Sequence, residues 1–181
     1  PNLVAHVRAR VRRPVPVACV PFGFDPSTAP ETLPERTKTS NGPSLVVGYA
    51  GSIGVSNALD TLIDCAVALK DDSRFRFVIA GDGDQREGLM AKTRDCPHVE
   101  WVGRVPRWEV HAILSSCDLL YFAAHRSKVW DYGMSLNKLT DYLLTARPVL
   151  GSYSGYPSIL DEAGCGRFVP ASDINMVLQA L

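Results

Sequence analysis

A doubly wound α/β domain built on a parallel sheet is the fold class this sequence predicts, and three observations carry it. From Ser44 onward, short apolar runs alternate with segments of helical periodicity. The runs are continuously apolar, the pattern of strands covered on both faces. Several of them end in glycine, as in Tyr49-Ala50-Gly51, Ala80-Gly81 and Val102-Gly103. Right-handed crossovers bring such loops to the carboxyl edge of the sheet, where ligands bind. The loops after Tyr49, Ala80, Val102 and Phe122 are therefore the expected site.

The elements follow in order. Leu45 to Ala50 predicts the first strand. Asn57 to Lys70 predicts a helix with Leu59, Leu62, Ile63, Ala66 and Val67 on one face and Asn57 with Asp60 as a capping pair. Phe75 to Ala80 reads as a strand, Gln85 to Arg94 as a helix, and His98 to Val102 as a strand. Pro106 to Cys117 predicts a helix with proline in its first turn and Val110, Ile113 and Leu114 facing inward. Leu119 to Phe122 is the fourth strand. Ser135 to Ala146 is a helix with Leu136, Leu139 and Leu143 as its stripe, Pro148 to Gly151 is the fifth strand, and a weaker helix–strand–helix pattern runs to the end.

Composition narrows the function classes. The 181 residues are 46% hydrophobic and 21% charged, values of a globular domain able to build a core without staples. Nineteen basic side chains balance nineteen acidic ones, which argues against wholesale nucleic-acid binding. No apolar run approaches the roughly 20 residues of a membrane span. The five cysteines, Cys19, Cys65, Cys96, Cys117 and Cys165, show no C-x-x-C spacing. They suit small buried hydrophobes in a reducing cytosol better than a zinc site or a disulfide framework. Seven of the thirteen prolines fall between Pro14 and Pro43, so Pro26 to Asn41 reads as a connector. Before it, Val7 to Arg13 is basic, the end of a solvated helix or strand in the first reading and an anion-contacting stripe in the second.

Candidate chemistry concentrates in two places. Gly48-x-x-Gly51-x-x-Gly54 follows a strand and precedes a helix, so its bare amides suit a phosphate. The same glycines equally suit tight turns that need positive φ. The spacing is not G-x-G-x-x-G and no acid ends the second strand, which argues against a nicotinamide or flavin site, and no Gly-Lys-Ser/Thr follows to make a P-loop. The second place is Tyr132 to Tyr142. Ser135 stands where an N-cap belongs, so the amides of Leu136, Asn137 and Lys138 would point out of a helix start, with the Lys138 ammonium beside them. Asp141 follows one turn deeper. A phosphate at the helix start and a sugar hydroxyl at the carboxylate would make a nucleotide site, although by residue type alone Lys138 and Asp141 also suit an i, i+3 surface pair. His125, Arg126 and Lys128 follow the fourth strand and form either a sugar or diphosphate loop or a surface of mixed charge. His98 and His111 read as structural. No metal-ligand spacing joins the histidines, and no G-x-S-x-G elbow supports a serine hydrolase.

Six stretches in order resemble the carboxyl-terminal domain of a GT-B-fold glycosyltransferase of family 4, the group 1 transferases. They are Val20-Pro21-Phe22-Gly23-Phe24-Asp25, Val47 to Gly54, Phe77 to Gly83, Val99 to Val105, Cys117 to Leu120, and Asn137 to Leu150. The resemblance covers about residues 18–170. It implies a linker remnant and connector over residues 1–43 and a nucleotide-sugar-binding domain over 44–181, with an acceptor domain preceding it in the intact protein. By position, Asp141 takes the place of the second glutamate of the family's Glu-x7-Glu motif, expected on the donor ribose. The helix start at Ser135 to Lys138 should face the diphosphate, Gly51, Ser52 and Gly54 should lie against donor phosphates and acceptor, and Arg104 should neighbour the base. The family's usual Arg and Lys of the first loop fall near Ser52 and Ser56, and its first glutamate falls at Gly133. Lys138 is the candidate to supply the missing positive charge.

The implied activity is metal-independent, retaining transfer of a sugar from a nucleoside diphosphate, with uridine as the nucleoside, to an acceptor in cell-surface polysaccharide or glycolipid synthesis. No separate cofactor is expected. The implied setting is the cytoplasm, peripheral to the inner face of the membrane through a lipid-linked acceptor. A nucleotide-sugar epimerase of related fold and a non-catalytic nucleotide-binding module are the alternatives.

Overall fold

The structure is a computed structural model that describes residues 2–20, 23 and 45–181. The connector expected over Pro26 to Asn41 and most of the Val20-to-Asp25 motif lie outside the described residues. Strands β1 (Leu45–Ala50), β2 (Phe75–Ala80), β3 (Val99–Gly103), β4 (Leu119–Ala123), β5 (Val149–Ser152) and β6 (Gly166–Val169) form one sheet in the order β3-β2-β1-β4-β5-β6. Every pairing is parallel. The helices are α1 (Asn2–Arg8), α2 (Asp60–Ala68), α3 (Arg86–Lys92), α4 (Arg107–Ser115), α5 (Asn137–Leu144), α6 (Ile159–Ala163) and α7 (Ile174–Ala180).

Successive strand residues point to opposite faces, and both faces are buried, which explains the unbroken apolar runs. On one face Val47, Tyr49, Phe77, Ile79 and Tyr121 pack with Leu62 and Ile63 of α2, Leu89 of α3 and Val177 of α7. On the other, Val46, Ala50, Val78, Leu120 and Phe122 pack with Leu114 of α4, Leu139 and Tyr142 of α5 and Leu160 of α6. Cys65, Cys96 and Cys117 are buried in this core, Cys165 is half-buried and Cys19 is exposed, and none of the five forms a disulfide.

The strand order reverses direction between β1 and β4, and there the sheet opens. β1 follows β2 through six residue pairs but meets β4 only at Val47–Leu119 and Gly48–Leu120. Beyond that point the two strands part, leaving backbone groups that the ladder no longer satisfies. The fully buried Tyr142 of α5 fills the gap. Its hydroxyl donates to the Tyr121 carbonyl at 2.9 Å and accepts from the Ala50 N–H at 3.3 Å. Burial drives the phenol pKa well above its ordinary value, so the hydroxyl keeps the proton it donates.

On the other side of β1 the loops interlock. The Gly51 N–H donates to the Ala80 carbonyl at 3.0 Å and the Gly81 N–H to the Gly103 carbonyl at 2.7 Å. Gly81 has φ +136°, and a Cβ there would stand 1.8 Å from the Gly51 carbonyl oxygen. Only glycine meets both demands at this position.

Strand positions agree with the sequence reading to within a residue, whereas the helix ends differ. The capping pair Asn57–Asp60 does not form. Val55–Asn57 is instead a 3-10 turn, Ala58 takes a left-handed φ of 44°, and α2 starts after Leu59 without a side-chain cap. Pro106 is extended, with ψ 151°, and precedes α4 rather than entering it. The basic Val7-to-Arg13 segment is a helix end: α1 closes at Arg8, and the His6 ring packs edge-on against Tyr132 at 4.2 Å.

Replacing Tyr142 with phenylalanine removes both bonds in the β1–β4 gap while keeping the ring. The expected loss is about 1–3 kcal/mol, because a buried N–H and C=O are left unpaired. Urea unfolding of the full chain measures it, with the slope unchanged.

Candidate functional site

The glycine loops after β1 and β2 and the start of α4 enclose a cleft of about 460 Å³ at the carboxyl edge of the sheet. Gly51, Ser52, Gly81, Asp82, Arg104 and Val110 are among its lining residues. Of the residues expected at a donor site, the structure thus brings Gly51, Ser52 and Arg104 to one cavity. Gly54 lies elsewhere, in a smaller depression of about 320 Å³ with Asp60, Lys92 and His125.

The start of α5 departs from its expected geometry. Ser135 is exposed and is not the cap. The N-cap position falls to Leu136, which is extended at φ −117°, ψ 127° and offers no side-chain oxygen. The Leu139 N–H turns back to the Leu136 carbonyl at 3.0 Å. This leaves the N–H groups of Asn137 and Lys138 at the positive end of the helix with no side chain capping them. The open helix start that the sequence suggested is present, one residue later and without the serine.

Lys138 reaches from α5 across the carboxyl edge of the sheet toward β1. Its Nζ donates to Asn57 Oδ1 at 2.6 Å and to the Tyr49 hydroxyl at 3.1 Å, and it stands 4.7 Å from the centre of the Tyr49 ring. The path runs over Gly51, where an added Cβ would come within 3.4 Å of Lys138 Cε and Nζ. Tyr49 is itself fixed by donating to the Ser52 carbonyl at 2.6 Å. No carboxylate among the described residues pairs with this ammonium. Burial alone lowers its pKa from 10.5 to about 8. The cage offers neutral oxygens and a π face, which tolerate a cation without neutralising it.

Asp141 takes another direction. It is buried, and its Oδ1 turns toward α4 rather than toward Lys138. Arg107 Nη2 donates to its Oδ1 at 2.7 Å, and His111 Nε2 lies 3.5 Å from the same oxygen. The expected surface pair of Lys138 with Asp141 is therefore not formed. Gly133, where the family's first glutamate would fall, has φ +110°, a backbone that favours glycine.

The loop after β4 lies apart from the cleft. His125 Nδ1 is 3.3 Å from Ser172 Oγ and its Nε2 is 3.9 Å from Asp60 Oδ1. Arg126 and Lys128 are exposed, and Lys128 opens a 3-10 turn, Lys128–Tyr132, capped by Ser127. His98 is structural as expected: its Nε2 is 3.0 Å from the Ala66 carbonyl. Sequence reasoning missed Tyr49, Asn57, Arg107 and His111. A tyrosine inside an otherwise aliphatic strand was the available signal for the first, since a buried phenol needs a partner.

An unpaired ammonium weakens the fold that holds it. Lys138→Met should raise the unfolding free energy at pH 7 by about 1–3 kcal/mol. Because the folded-state pKa lies below the unfolded one, the unfolded chain binds the extra proton between pH 8 and 10.5. The wild-type deficit relative to the variant is complete below pH 8 and closes as pH rises to 10.5. Paired denaturation curves across that range read it.

The comparisons with known proteins bear on the fold and the family. The family model for glycosyl transferases of group 1 matches residues 44–181. Among solved structures, the C-terminal domain of a group 1 glycosyl transferase (LpcC) from Francisella tularensis is similar, with TM-score 0.64 and 14% identity over 87% of this chain and 85% of that one. HepE from Anabaena, solved in complex with UDP-glucose, has TM-score 0.62 and 15% identity over 87% of this chain and 44% of its own. The lipopolysaccharide outer core galactosyltransferase WaaB has TM-score 0.64 and 14% identity over 86% and 43%. This chain thus spans less than half the length of HepE and of WaaB. A search of curated proteins by sequence finds no match. With the six-stranded parallel sheet in place and the family's pattern matched over most of its length, the chain belongs to the group 1 glycosyltransferases.

Proposed function

We propose that this domain binds the donor of a glycosyl transfer, a uridine diphosphate sugar, with the diphosphate against Lys138 and the open start of α5. The observation that carries the reading is the Lys138 ammonium, held over Gly51 by neutral groups with no carboxylate partner among the described residues. Such a site has an uncompensated charge for a phosphate to meet. The nucleoside then takes the cleft lined by Arg104 and Val110, and the ribose takes Asp141, the position that the family resemblance assigns to it. UDP-glucose in HepE supports uridine diphosphate as the carrier, and with the galactosyl transfer named for WaaB it supports a hexose; an amino sugar is the alternative that the resemblance leaves open.

In this reading the chemistry is electrostatic. Departure of the sugar builds negative charge on the diphosphate, and the Asn137 and Lys138 amides with the Lys138 ammonium are oriented to meet it before it forms. A cation supplied by the protein takes the role that a divalent ion would otherwise fill, and Lys138 replaces the basic residues the family places near Ser52 and Ser56. Transfer with retained configuration takes place against an acceptor held by a second domain of the same protein, so the domain alone binds donor weakly and transfers nothing. The acceptor belongs to cell-surface polysaccharide or glycolipid synthesis, on a lipid carrier at the cytoplasmic face of the membrane. Gly133 in place of a carboxylate favours one other reading, a nucleotide-binding module without catalysis. Release of UDP by the full-length protein only in the presence of acceptor separates the two.

Thermal-shift measurements with UDP-, GDP-, ADP- and dTDP-sugars should respond to the uridine donors alone. Lys138→Met should weaken UDP-sugar binding at least about tenfold, some 1.4 kcal/mol, and leave uridine binding unchanged. Wild-type affinity should be level below pH 8 and fall about tenfold per pH unit above it, since the ammonium must be charged to hold a phosphate. Equal losses for uridine and UDP-sugar in the variant would overturn the assignment.

A further inference from the structure

We infer that Arg107 and His111, two residues of α4, are positioning residues that hold Asp141 by one oxygen and present the other to the donor ribose. The inference rests on the donor reading above and adds residues that reading does not contain. Both groups meet the same atom: Arg107 Nη2 at 2.7 Å and His111 Nε2 at 3.5 Å from Oδ1. Oδ2 receives no hydrogen bond from any described residue. A carboxylate has about four lone-pair positions, so occupation of Oδ1 leaves the acceptor capacity of Oδ2 whole.

The burial of the three groups supports the same assignment. The Asp141 side chain is 8% exposed and the Arg107 side chain 73% exposed, so the guanidinium covers the carboxylate from the solvent side. His111 Nε2 is buried without a hydrogen-bond partner of its own. An unsatisfied imidazole nitrogen facing a buried carboxylate has one useful partner, and a small rotation of either ring or carboxylate would bring it into bonding range. Arg107, Val110 and His111 share one face of α4 at i, i+3 and i+4. Val110 lines the cleft in which the nucleoside is placed. The helix that walls the nucleoside pocket is thus also the helix that aims the carboxylate. A ribose diol donates two hydrogen bonds, and a carboxylate free to swing would lose its alignment with both.

The test compares UDP with 2′-deoxy-UDP by calorimetry on the full-length protein. Wild type should prefer the ribonucleotide about tenfold or more. Arg107→Ala, His111→Ala and the double variant should narrow that preference to below about threefold, chiefly by weakening UDP, with 2′-deoxy-UDP affinity held. His111→Gln, which keeps a donor, should restore most of it. A merely structural role would weaken both nucleotides together, so a preference retained in the double variant, or parallel losses, overturns the inference. Asp141→Asn separates the two levels: a preference present in wild type and lost in this variant upholds the ribose reading whatever α4 does. No preference in wild type overturns both.

Discussion

The parting of β1 and β4 is the constraint on which the rest of the site depends. A parallel sheet whose connections reverse direction between two neighbouring strands must open there, because the crossovers leave to opposite faces. The opening exposes backbone groups, and the structure meets them with a side chain from the helix that follows β4. The Tyr142 hydroxyl, bonded to Tyr121 on one strand and Ala50 on the other, sets the depth and rotation of α5. Once α5 is placed, its first turn stands at the mouth of the opening. Lys138, four residues ahead of Tyr142, overhangs β1, and Asp141, one residue ahead, turns to α4. The polar groups of the site are consequences of how one tyrosine bridges two strands.

The electrostatics at this mouth run against stability. A buried ammonium beside a phenol and a carboxamide costs the folded chain free energy that a carboxylate neighbour would return. The chain holds carboxylates nearby in sequence, yet Asp141 is tied to Arg107 and Asp60 lies toward His125. The arrangement keeps these carboxylates on other partners and leaves the ammonium with neutral neighbours. The same arrangement explains how a first loop carrying Ser52 and Ser56 can still offer a cation: the charge arrives from α5, over a glycine, instead of from the loop itself.

The sheet was legible in the sequence because strand burial on both faces is written in composition. Leu45 to Ala50 and Phe75 to Ala80 could be bounded to the residue, since each apolar run ends at a turn that only certain residues make. Helix starts were less legible. Asn57 and Asp60 look like caps, and Ser135 looks like one, but capping depends on the backbone angles of a single residue, which are set by the tertiary path of the loop. Asn57 was recruited by Lys138 from 81 positions away, a pairing that no local pattern encodes. The direction of Asp141 was hidden for the same reason: one turn of helix places it near Lys138, while the partner that fixes it sits on α4. What could be read was which residues lie at the carboxyl edge; which way each one points was decided by contacts between elements.

Gly133 carries a consequence for how this version of the family site relates to the usual one. Its backbone sits at φ +110°, where any side chain adds strain of roughly 1–3 kcal/mol. An acidic group cannot simply be written back at that position, because the loop leading into α5 would have to be rethreaded to receive it. A carboxylate at this position and the present backbone are therefore exclusive of one another unless several changes in the loop occur together.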